Sequence, residues 1–381
     1  MNKAELTLAE LIRASLFGLP AIFDEDVDWN DVLAEAEAQA VVALVAGAVP
    51  AKAAKSWQTP ADQSKAYFMR VLYEQTNLTA LLSGADIPFI VLKGTAAAIY
   101  YPIPCNRTMG DIDILVPEGY FDAAFALLQE NGYEFRRDFG DDRDYSFSKS
   151  GVIFELHRKY SDQKNDIEEY MRDGMRHAET HTLYGSAFPA LSKAENGLVL
   201  LDHIRHHLFG GLGLRQILDF MMFVNSEPDE KKFESDFLPF FEKAGLGTLA
   251  KVITKMCKKH FGLPVDAAWC ETADDRTCEE LLETVFSRGN FGRKDPYVYR
   301  PMQSFAMGAK TDGFFRTLQR AGVGTCKVFQ KHKFLRPFAW LYQLCKCVKR
   351  ALAALFRGEK LWRDVSVGKK QADFYKRLGI E

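Results

Sequence analysis

The sequence lacks the hydrophobic segments that would place it in or across a membrane. No stretch approaches the ~18 consecutive apolar residues that a membrane-spanning helix needs. The first residues, MNKAELTLAELIRASLFG, include acidic side chains and have no apolar core of the kind that a signal peptide carries. We therefore expect a cytoplasmic protein, and a peripheral position at the inner membrane surface is the alternative that stays open.

Paired cysteines are also missing from the chain. The cysteine count is seven, which is odd, and no Cys-x-x-Cys pair occurs. Cys345 and Cys347 are too close together for the usual spacing of zinc ligands. The pattern favours free thiols in a reducing compartment over a disulfide framework. The seven positions are Cys105, Cys257, Cys270, Cys278, Cys326, Cys345 and Cys347.

Neither sign of charge is in excess. The chain has 49 Lys and Arg against 51 Asp and Glu, for a net charge of −2, so its overall charge gives no reason to expect nucleic acid as a partner. Hydrophobic residues make up 47% of the sequence, which is ordinary for a globular protein with a real core. A length of 381 residues suggests two or three domains.

The most informative part of the sequence is residues 87–157. An apolar run at 87–92 predicts a buried strand, and the Lys-Gly-Thr turn at 93–95 leads into a short predicted helix at 96–101. The N terminus of a helix after a glycine turn is a common site for anions. A second strand is predicted at 111–116.

Two aspartates share one face of that second strand. Side chains alternate along a strand, so Asp111 and Asp113 lie on the same side, opposite the apolar residues. A third predicted strand at 152–157 carries Glu155 and His157 on one face. If it pairs beside the second strand, Glu155 becomes a third carboxylate at one site. Oxygen ligands of this kind suit Mg²⁺, although an isolated Asp-x-Asp is also typical of a polar strand edge or turn.

This order of elements resembles the nucleotidyltransferase superfamily that has a DNA polymerase β-like palm. More narrowly, it is similar to the uncharacterised nucleotidyltransferase family whose turn reads LKG and whose third strand reads ExH. The resemblance implies an α+β fold, in which a palm with a mixed β-sheet is flanked by N-terminal and C-terminal α-helical regions. The chain has Lys-Gly-Thr at 93–95 where the superfamily has Gly-Ser, and Thr95 would supply the hydroxyl.

The resemblance also implies a function and a set of site residues. The chain would move a nucleoside monophosphate from a nucleoside triphosphate, for which we expect ATP, to an acceptor hydroxyl that the sequence does not identify. Two Mg²⁺ ions would be held by the catalytic residues Asp111, Asp113 and Glu155. The nucleotide would be bound by Lys93, Gly94, Thr95, Arg107, His157, Arg215 and Asp219. Two alternatives are a catalytically silent nucleotide-binding relative, acting as a sensor or antitoxin-like protein, and an accessory protein of polysaccharide assembly or of the membrane surface.

We expect four regions along the chain. Residues 1–85 form an N-terminal helical region, and residues 86–160 form the palm, with a charged hairpin loop at 138–144. Residues 161–290 form a helical domain that begins with a charged connector, and residues 291–381 form a basic helical C-terminal region.

Two pairs of polar residues in the helical domain allow more than one interpretation. Arg215 and Asp219 are four residues apart on a predicted helix, so they form either a surface ion pair or part of a helix that closes over the nucleotide. His203 and His207 have the same spacing, which suits two zinc ligands, but the sequence shows no third ligand. A polar core or a phosphate contact is the favoured interpretation for the histidines.

Residues 327–363 combine basic and apolar side chains at helical spacing. Such a helix lies on an anionic membrane, contacts nucleic acid or an acidic partner, or packs on the body of the protein with its basic face solvated. The basic residues are Lys327, Lys331, Lys333, Arg336, Lys346, Lys349, Arg350, Arg357, Lys360 and Arg363.

Overall fold

The structure, a computed structural model, describes five segments of the chain. These segments are residues 1–138, 144–160, 166–295, 301–356 and 361–380. Most of the hairpin loop that the sequence predicts at 138–144 therefore lies outside the described residues. The same is true of the side chains of four of the basic residues, Lys327, Arg357, Lys360 and Arg363.

Contacts between residues divide the chain into two compact units, residues 1–295 and residues 296–381. The four regional boundaries that the sequence predicts stay predictions. The helices of the first unit are α1 (Lys3–Phe17), α2 (Trp29–Ala38), α3 (Val42–Val45), α4 (Ala51–Gly84), α5 (Gly94–Ala98), α6 (Phe121–Glu130), α7 (Asp166–Gly174), α8 (Lys193–Gly210), α9 (Leu214–Asn225), α10 (Glu230–Lys232), α11 (Leu238–Lys243), α12 (Gly247–Phe261) and α13 (Asp275–Arg288).

A seven-stranded sheet forms the centre of the first unit. Its strands are β1 (Ile90–Leu92), β2 (Ile112–Leu115), β3 (Glu134–Asp138), β4 (Asp144–Lys149), β5 (Val152–His157), β6 (Glu179–Leu183) and β7 (Ser186–Ala190). They lie in the order β3-β4-β5-β2-β1-β7-β6. The β2–β5 and β1–β7 pairs are parallel, whereas the other neighbouring pairs are antiparallel. The mixed sheet and the surrounding helices confirm the predicted α+β fold class.

Strand β5 has the bounds that the sequence predicts, and β2 is one residue shorter at each end. The turn between β4 and β5 is the predicted tight turn. Ser150 and Gly151 both have positive φ, 52° and 76°, which is the backbone that a two-residue hairpin turn requires.

Strands β6 and β7 were not predicted, because residues 161–194 were interpreted as a connector of the helical domain. The β6 sequence, ETHTL, is largely exposed at the edge of the sheet and so has little of the apolar alternation that marks a strand. The β7 sequence, SAFPA, contains Pro189, which argues against a strand within a sheet. The two strands nevertheless extend the sheet beyond β1.

The core of the first unit lies between the sheet and helices α4 and α6. Ile112 and Ile114 of β2 join Phe154 and Leu156 of β5 in this core. They pack with side chains of the two helices, including Phe68, Val71, Phe121, Ala124 and Leu128. Because side chains alternate along a strand, the residues between these apolar positions point to the opposite face of the sheet. That face carries the polar residues described in the next section.

The second unit is helical throughout its described residues. Its helices are α14 (Pro301–Thr311), α15 (Phe314–Thr325), α16 (Lys327–Lys331), α17 (Ala339–Phe356) and α18 (Leu361–Arg377). Helix α14 packs against α18, and α15 packs against α17. Gly322 permits the second contact, since a Cβ there would lie 2.1 Å from the carbonyl oxygen of Ala339. Within the described residues, no helix of the protein combines the length and the apolar character that a membrane crossing needs.

Candidate active site

The candidate site lies on the polar face of the central strands. Strand β2 is hydrogen-bonded to β1 on one side and to β5 on the other. The register places Asp113 opposite Leu92 on β1 and opposite Glu155 on β5. Because β2 and β5 are parallel and Asp113 is paired with Glu155, the two carboxylates lie on the same face of the sheet. Their side chains can therefore act on one group.

Three side chains of this face are close enough to share one metal ion. The Nε2 atom of His157 lies 2.9 Å from Oδ1 of Asp113 and 3.7 Å from Oε2 of Glu155. One ligand atom from each of these residues lies within 4.8 Å of the other two. Carboxylates suit Mg²⁺ and Mn²⁺, and an imidazole suits transition-metal ions, so this group has donors for a divalent cation.

This set differs from the predicted trio of Asp111, Asp113 and Glu155. Among the described residues, His157 completes the compact group and Asp111 does not belong to it. Asp111 precedes the first residue of β2, so it is not held in the sheet as Asp113 is. His157 lies two residues beyond Glu155 on the same face of β5, which brings its ring to Asp113. The metal role predicted for Asp111 stays a prediction.

Lys93 is the cation that contacts this group. Its Nζ atom lies 2.9 Å from Oδ1 of Asp113. Its backbone has φ +49° and ψ −139°, a conformation that glycine adopts readily and that other residues adopt at a cost of about 1–3 kcal/mol. Local strain of this kind clusters at functional sites. The turn at 93–95 therefore keeps Lys93 in a backbone conformation that lysine rarely adopts.

The pKa values of the three carboxyl groups shift in different directions in this cluster. Burial would raise the pKa of Asp113, but the Lys93 ammonium and the His157 hydrogen bond outweigh it and hold that pKa well below its usual range. Burial, followed by repulsion from Asp113 and Asp111, raises the pKa of Glu155 to about 8. Burial and the Asp113 charge also raise the pKa of Asp111. The cluster holds more negative charge than Lys93 compensates, which is a reason for it to bind a further cation.

Solvent reaches this cluster at one side. Asp113 is buried, but the side chains of Lys93 and Glu155 are each 19% exposed. A buried set of ion pairs closed to solvent would exclude a substrate, and this cluster is not closed. The exposed parts of Lys93 and Glu155 leave an approach for a ligand.

Arg107 and Asp219 form a second, closed ion pair. The Arg107 Nε and Nη2 atoms each lie 2.7 Å from an oxygen of Asp219, and the Tyr101 hydroxyl donates to the same carboxylate at 2.9 Å. Both partners are buried, so the interpretation of Arg215 and Asp219 as a surface ion pair is wrong. Asp219 is committed to Arg107, and the nucleotide contacts predicted for both residues stay predictions.

Arg215 lies beside the start of the Asp-x-Asp segment without such a partner. Its Nη1 atom donates to the carbonyl of Thr108 at 3.4 Å and would lie 3.3 Å from a Cβ placed on Gly110. Within the described part of the chain, no carboxylate is within ion-pair distance of this guanidinium. Burial and the neighbouring Arg107 lower the pKa of Arg215. A buried cation without a carboxylate partner is suited to an anionic ligand.

The predicted phosphate turn is only partly arranged for that role. The Thr95 hydroxyl is fully buried and donates to Oε1 of Gln75 on α4 at 2.7 Å. It is thus committed to the protein interior, in contrast to the hydroxyl–phosphate contact expected from the sequence. Gly94 has φ +38° and begins α5, which is only five residues long. Within this turn, the Lys93 side chain is the group that contacts a carboxylate of the site, that of Asp113.

A family comparison gives this arrangement a context. The model of a family described as uncharacterised nucleotidyltransferases matches residues 25–262, more than half of the chain. The chain belongs to this family. The match includes every residue of the Asp113, Glu155 and His157 group, together with Lys93 and Arg215.

Two further comparisons add little to this family assignment. No curated protein matches the chain. An antigenic nucleotidyltransferase-like protein from Paracoccidioides brasiliensis is similar in structure, with 14% sequence identity and a TM-score of 0.34. The similarity covers 53% of this chain and 96% of that protein. At this score the two structures differ too much for any residue to be compared.

Asp144 is a further carboxylate near this group, and it is not among the site residues predicted from the sequence. It was placed in the loop at 138–144, but it begins β4 and is paired in register with His157. Its Oδ2 atom lies 3.9 Å from Nδ1 of His157, and its charge contributes to the raised pKa of Glu155. Asp144, Ser146 and Ser148 are polar residues at every second position, and all three are buried. This alternation is the sequence signal that would extend the predicted strand back to Asp144.

The two histidines of α8 are paired with each other. Nε2 of His203 lies 2.8 Å from Nε2 of His207, so one ring donates a hydrogen bond to the other. Burial lowers the pKa of both, and the pKa of His207 falls to about 3. Among the described residues, they belong to no group of three metal ligands. This agrees with a polar core contact and gives no support to the zinc alternative.

Proposed function

We propose that this family member is a Mg²⁺-dependent nucleotidyltransferase that moves a nucleoside monophosphate from a nucleoside triphosphate to an acceptor hydroxyl. The observation that carries the proposal is the group of Asp113, Glu155 and His157, assembled from two central strands with Lys93 at its edge. Family membership supports the class of reaction. ATP is the nucleotide that we propose, and the acceptor is any hydroxyl compound that the open side of the site admits.

The donor set fits a divalent metal ion. The raised pKa of Glu155 and the Asp111 charge beside Asp113 both indicate acidic groups held close together with too little positive charge. Asp113, Glu155 and His157 would hold the ion, and Asp111 is the group nearest to a second one. Bound Mg²⁺ would neutralise charge on the reacting phosphate and on the leaving pyrophosphate.

The protein groups around this set would bind and orient the reactants. The charges of Lys93 and Arg215 both act on Asp111, so these two cations would bind oxygens of the triphosphate. The oxygen of the acceptor hydroxyl would form a bond to the α-phosphorus as the bond to pyrophosphate breaks. Glu155 would take the hydroxyl proton, since a carboxylate beside the metal ion is a usable base.

The decisive experiment measures pyrophosphate release and transfer of label from α-³²P-labelled nucleotides, with sugars, RNA ends, antibiotics and protein hydroxyls as acceptors. We expect Asp113→Asn to abolish transfer. Asp122→Asn is the matched control, because the Asp122 side chain is 95% exposed on α6, which covers the other face of the sheet. A protein that binds nucleotide and Mg²⁺ but transfers nothing to any acceptor would be the silent relative.

We also propose that the second unit contacts an anionic lipid surface. On α17 and the residue before it, five side chains at spacings of three and four residues form an exposed stripe. Lys346, Lys349 and Arg350 lie on the same helix. An apolar stripe with cationic neighbours is suited to an anionic membrane surface. The stripe consists of Phe338, Leu341, Cys345, Val348 and Leu352.

Vesicle sedimentation tests this surface. The full chain should sediment with vesicles that contain phosphatidylglycerol and stay in solution with phosphatidylcholine alone. Leu341→Glu combined with Val348→Glu should abolish sedimentation. Lys369→Gln combined with Lys370→Gln changes the net charge equally at exposed positions of α18 and should retain most of it. Equal loss in both variants would mean that net charge, and not the stripe, drives binding.

A further inference from the structure

We propose that Phe291 is the platform on which the base of the nucleotide stacks. The inference rests on the proposed function and assigns a position for the part of the substrate that the carboxylate group does not contact. Phe291 lies in the turn Asn290–Gly292, after α13. Aromatic rings bind nucleobases by stacking, because every base has a flat π-face.

Phe291 has an exposed ring and a strained backbone. The residue is 53% exposed. Its φ is +56°, a conformation in which a bulky side chain is uncommon and in which glycine or asparagine is favoured. A large apolar residue that is half exposed and has a strained backbone gains little stability from burial. An outlier of this kind is a reason to look for a role in binding.

The backbone around Phe291 is firmly held. Its N–H donates to the carbonyl of Gly211 at 3.0 Å. A Cβ on Gly211 would lie 2.0 Å from the backbone nitrogen of Gly292, and a Cβ on Gly213 would lie 2.6 Å from Cα of Asn290. Only glycines at 211 and 213 permit this approach, so the loop between α8 and α9 fixes the turn that carries the ring. A fixed ring loses little conformational freedom when a base stacks on it.

Arg215 connects this ring to the carboxylate group. Its guanidinium carbon lies 5.3 Å from the centre of the Phe291 ring. The Nη1 atom of the same guanidinium would lie 3.3 Å from a Cβ on Gly110, the residue before Asp111. Arg215 is therefore near both Phe291 and the start of the Asp-x-Asp segment. A nucleotide with its phosphates at Arg215 and Lys93 would have the Phe291 ring next to its phosphate-binding arginine.

Among the described residues, the ring has one ring neighbour besides the Arg215 guanidinium that could account for its position. His207 packs edge-to-face on it, with ring centres 5.0 Å apart. A purely structural ring would cover Arg215 and His207 and contribute to stability alone. Stacking predicts instead that Phe291 affects nucleotide binding and leaves the binding of phosphate chains unchanged.

Calorimetry with two ligands in the presence of Mg²⁺ separates these roles. The ligands are a non-hydrolysable ATP analogue and inorganic tripolyphosphate, which has the phosphates but no base. Phe291→Asn suits the backbone conformation and removes the ring, whereas Phe291→Leu keeps the strain and the bulk. Phe291→Tyr keeps the aromatic face. Phe135→Ala is the control, since Phe135 is an exposed ring that packs on Phe125 and Phe147, on the core face of the sheet.

We expect Phe291→Asn and Phe291→Leu to weaken the ATP analogue about tenfold or more, the factor that loss of base stacking produces, while tripolyphosphate binding changes less than about twofold. Phe291→Tyr and Phe135→Ala should bind both ligands as the unchanged protein does. Equal weakening of both ligands, or of neither, would overturn the assignment of the ring. If the unchanged protein bound neither ligand, the proposed function itself would be wrong.

Discussion

Two ion pairs of the first unit, Arg107–Asp219 and Lys93–Asp113, are built differently. In the Arg107–Asp219 pair, two hydrogen bonds of 2.7 Å join one cation to one anion, and the side chains are 4% and 2% exposed. In the Lys93–Asp113 pair, a single ammonium faces the three carboxylates of Asp111, Asp113 and Glu155, and it is partly exposed. The first pair is balanced and closed. The second has more carboxylates than its one ammonium balances and is partly exposed, as suits a binding site.

The largest effect should come from removing one member of the balanced pair. Asp219→Ala leaves the Arg107 guanidinium buried without a counter-ion, which should cost about 3–5 kcal/mol in the free energy of unfolding. Urea denaturation measures the change. The double variant Arg107→Met with Asp219→Leu should be less destabilised than Asp219→Ala, because no buried charge is left unpaired. A double variant as unstable as the sum of its single variants would contradict this description.

Removing the cation of the Lys93–Asp113 pair should lower the activity and leave the stability nearly unchanged. Lys93→Met removes the ammonium but keeps the backbone strain at this position, so transfer should fall about 10²–10³-fold as a group that stabilises the reacting phosphate is lost. The free energy of unfolding in the presence of Mg²⁺ should change by less than about 1 kcal/mol. Steady-state transfer and urea denaturation on the same preparation test both statements. A stability loss as large as that of Asp219→Ala would make Lys93 a structural residue.

Metal ions should stabilise the open cluster through its unbalanced charge. At 100 times its dissociation constant, a divalent cation that binds only the folded protein adds about 2.7 kcal/mol to the free energy of unfolding. Thermal melting with Mg²⁺ and with Mn²⁺ should show this gain in the unchanged protein and lose it in Glu155→Gln. Asp122→Gln is the control at an exposed carboxylate of α6 and should keep the gain. Equal gains in both variants would place the ion elsewhere.

The smallest effect is a pH dependence of the metal-free protein. The pKa of Glu155 is raised to about 8 in the folded chain from an ordinary value of 4.5, so the folded state binds a proton more tightly than the unfolded state does. The resulting stability is fully present below pH 4.5 and is lost as the pH rises through about 8. The slope in this window is at most about 1.4 kcal/mol per pH unit. Glu155→Gln should remove it, and an unchanged slope would mean that another group titrates.

The parts of the site that could be predicted from the sequence are those encoded by neighbouring residues. The alternation of 152–157 gave the bounds of β5 and the shared face of Glu155 and His157. The absence of Asp111 from the compact group of described residues depends on where β2 begins, which a pattern locates only to within a residue or two. The Arg107–Asp219 contact joins residues that are 112 positions apart, and no local signal relates them. Strand β6 was missed because an exposed edge strand needs little apolar alternation.

The positive φ of Lys93 has an evolutionary consequence. Glycine at this position would relax the strained turn, but it would also remove the ammonium from Asp113. Lineages that no longer need the reaction should therefore drift towards glycine at position 93. A lysine retained there against that drift is the mark of a chain still under selection for chemistry, and it offers a way to sort active members of the family from silent ones.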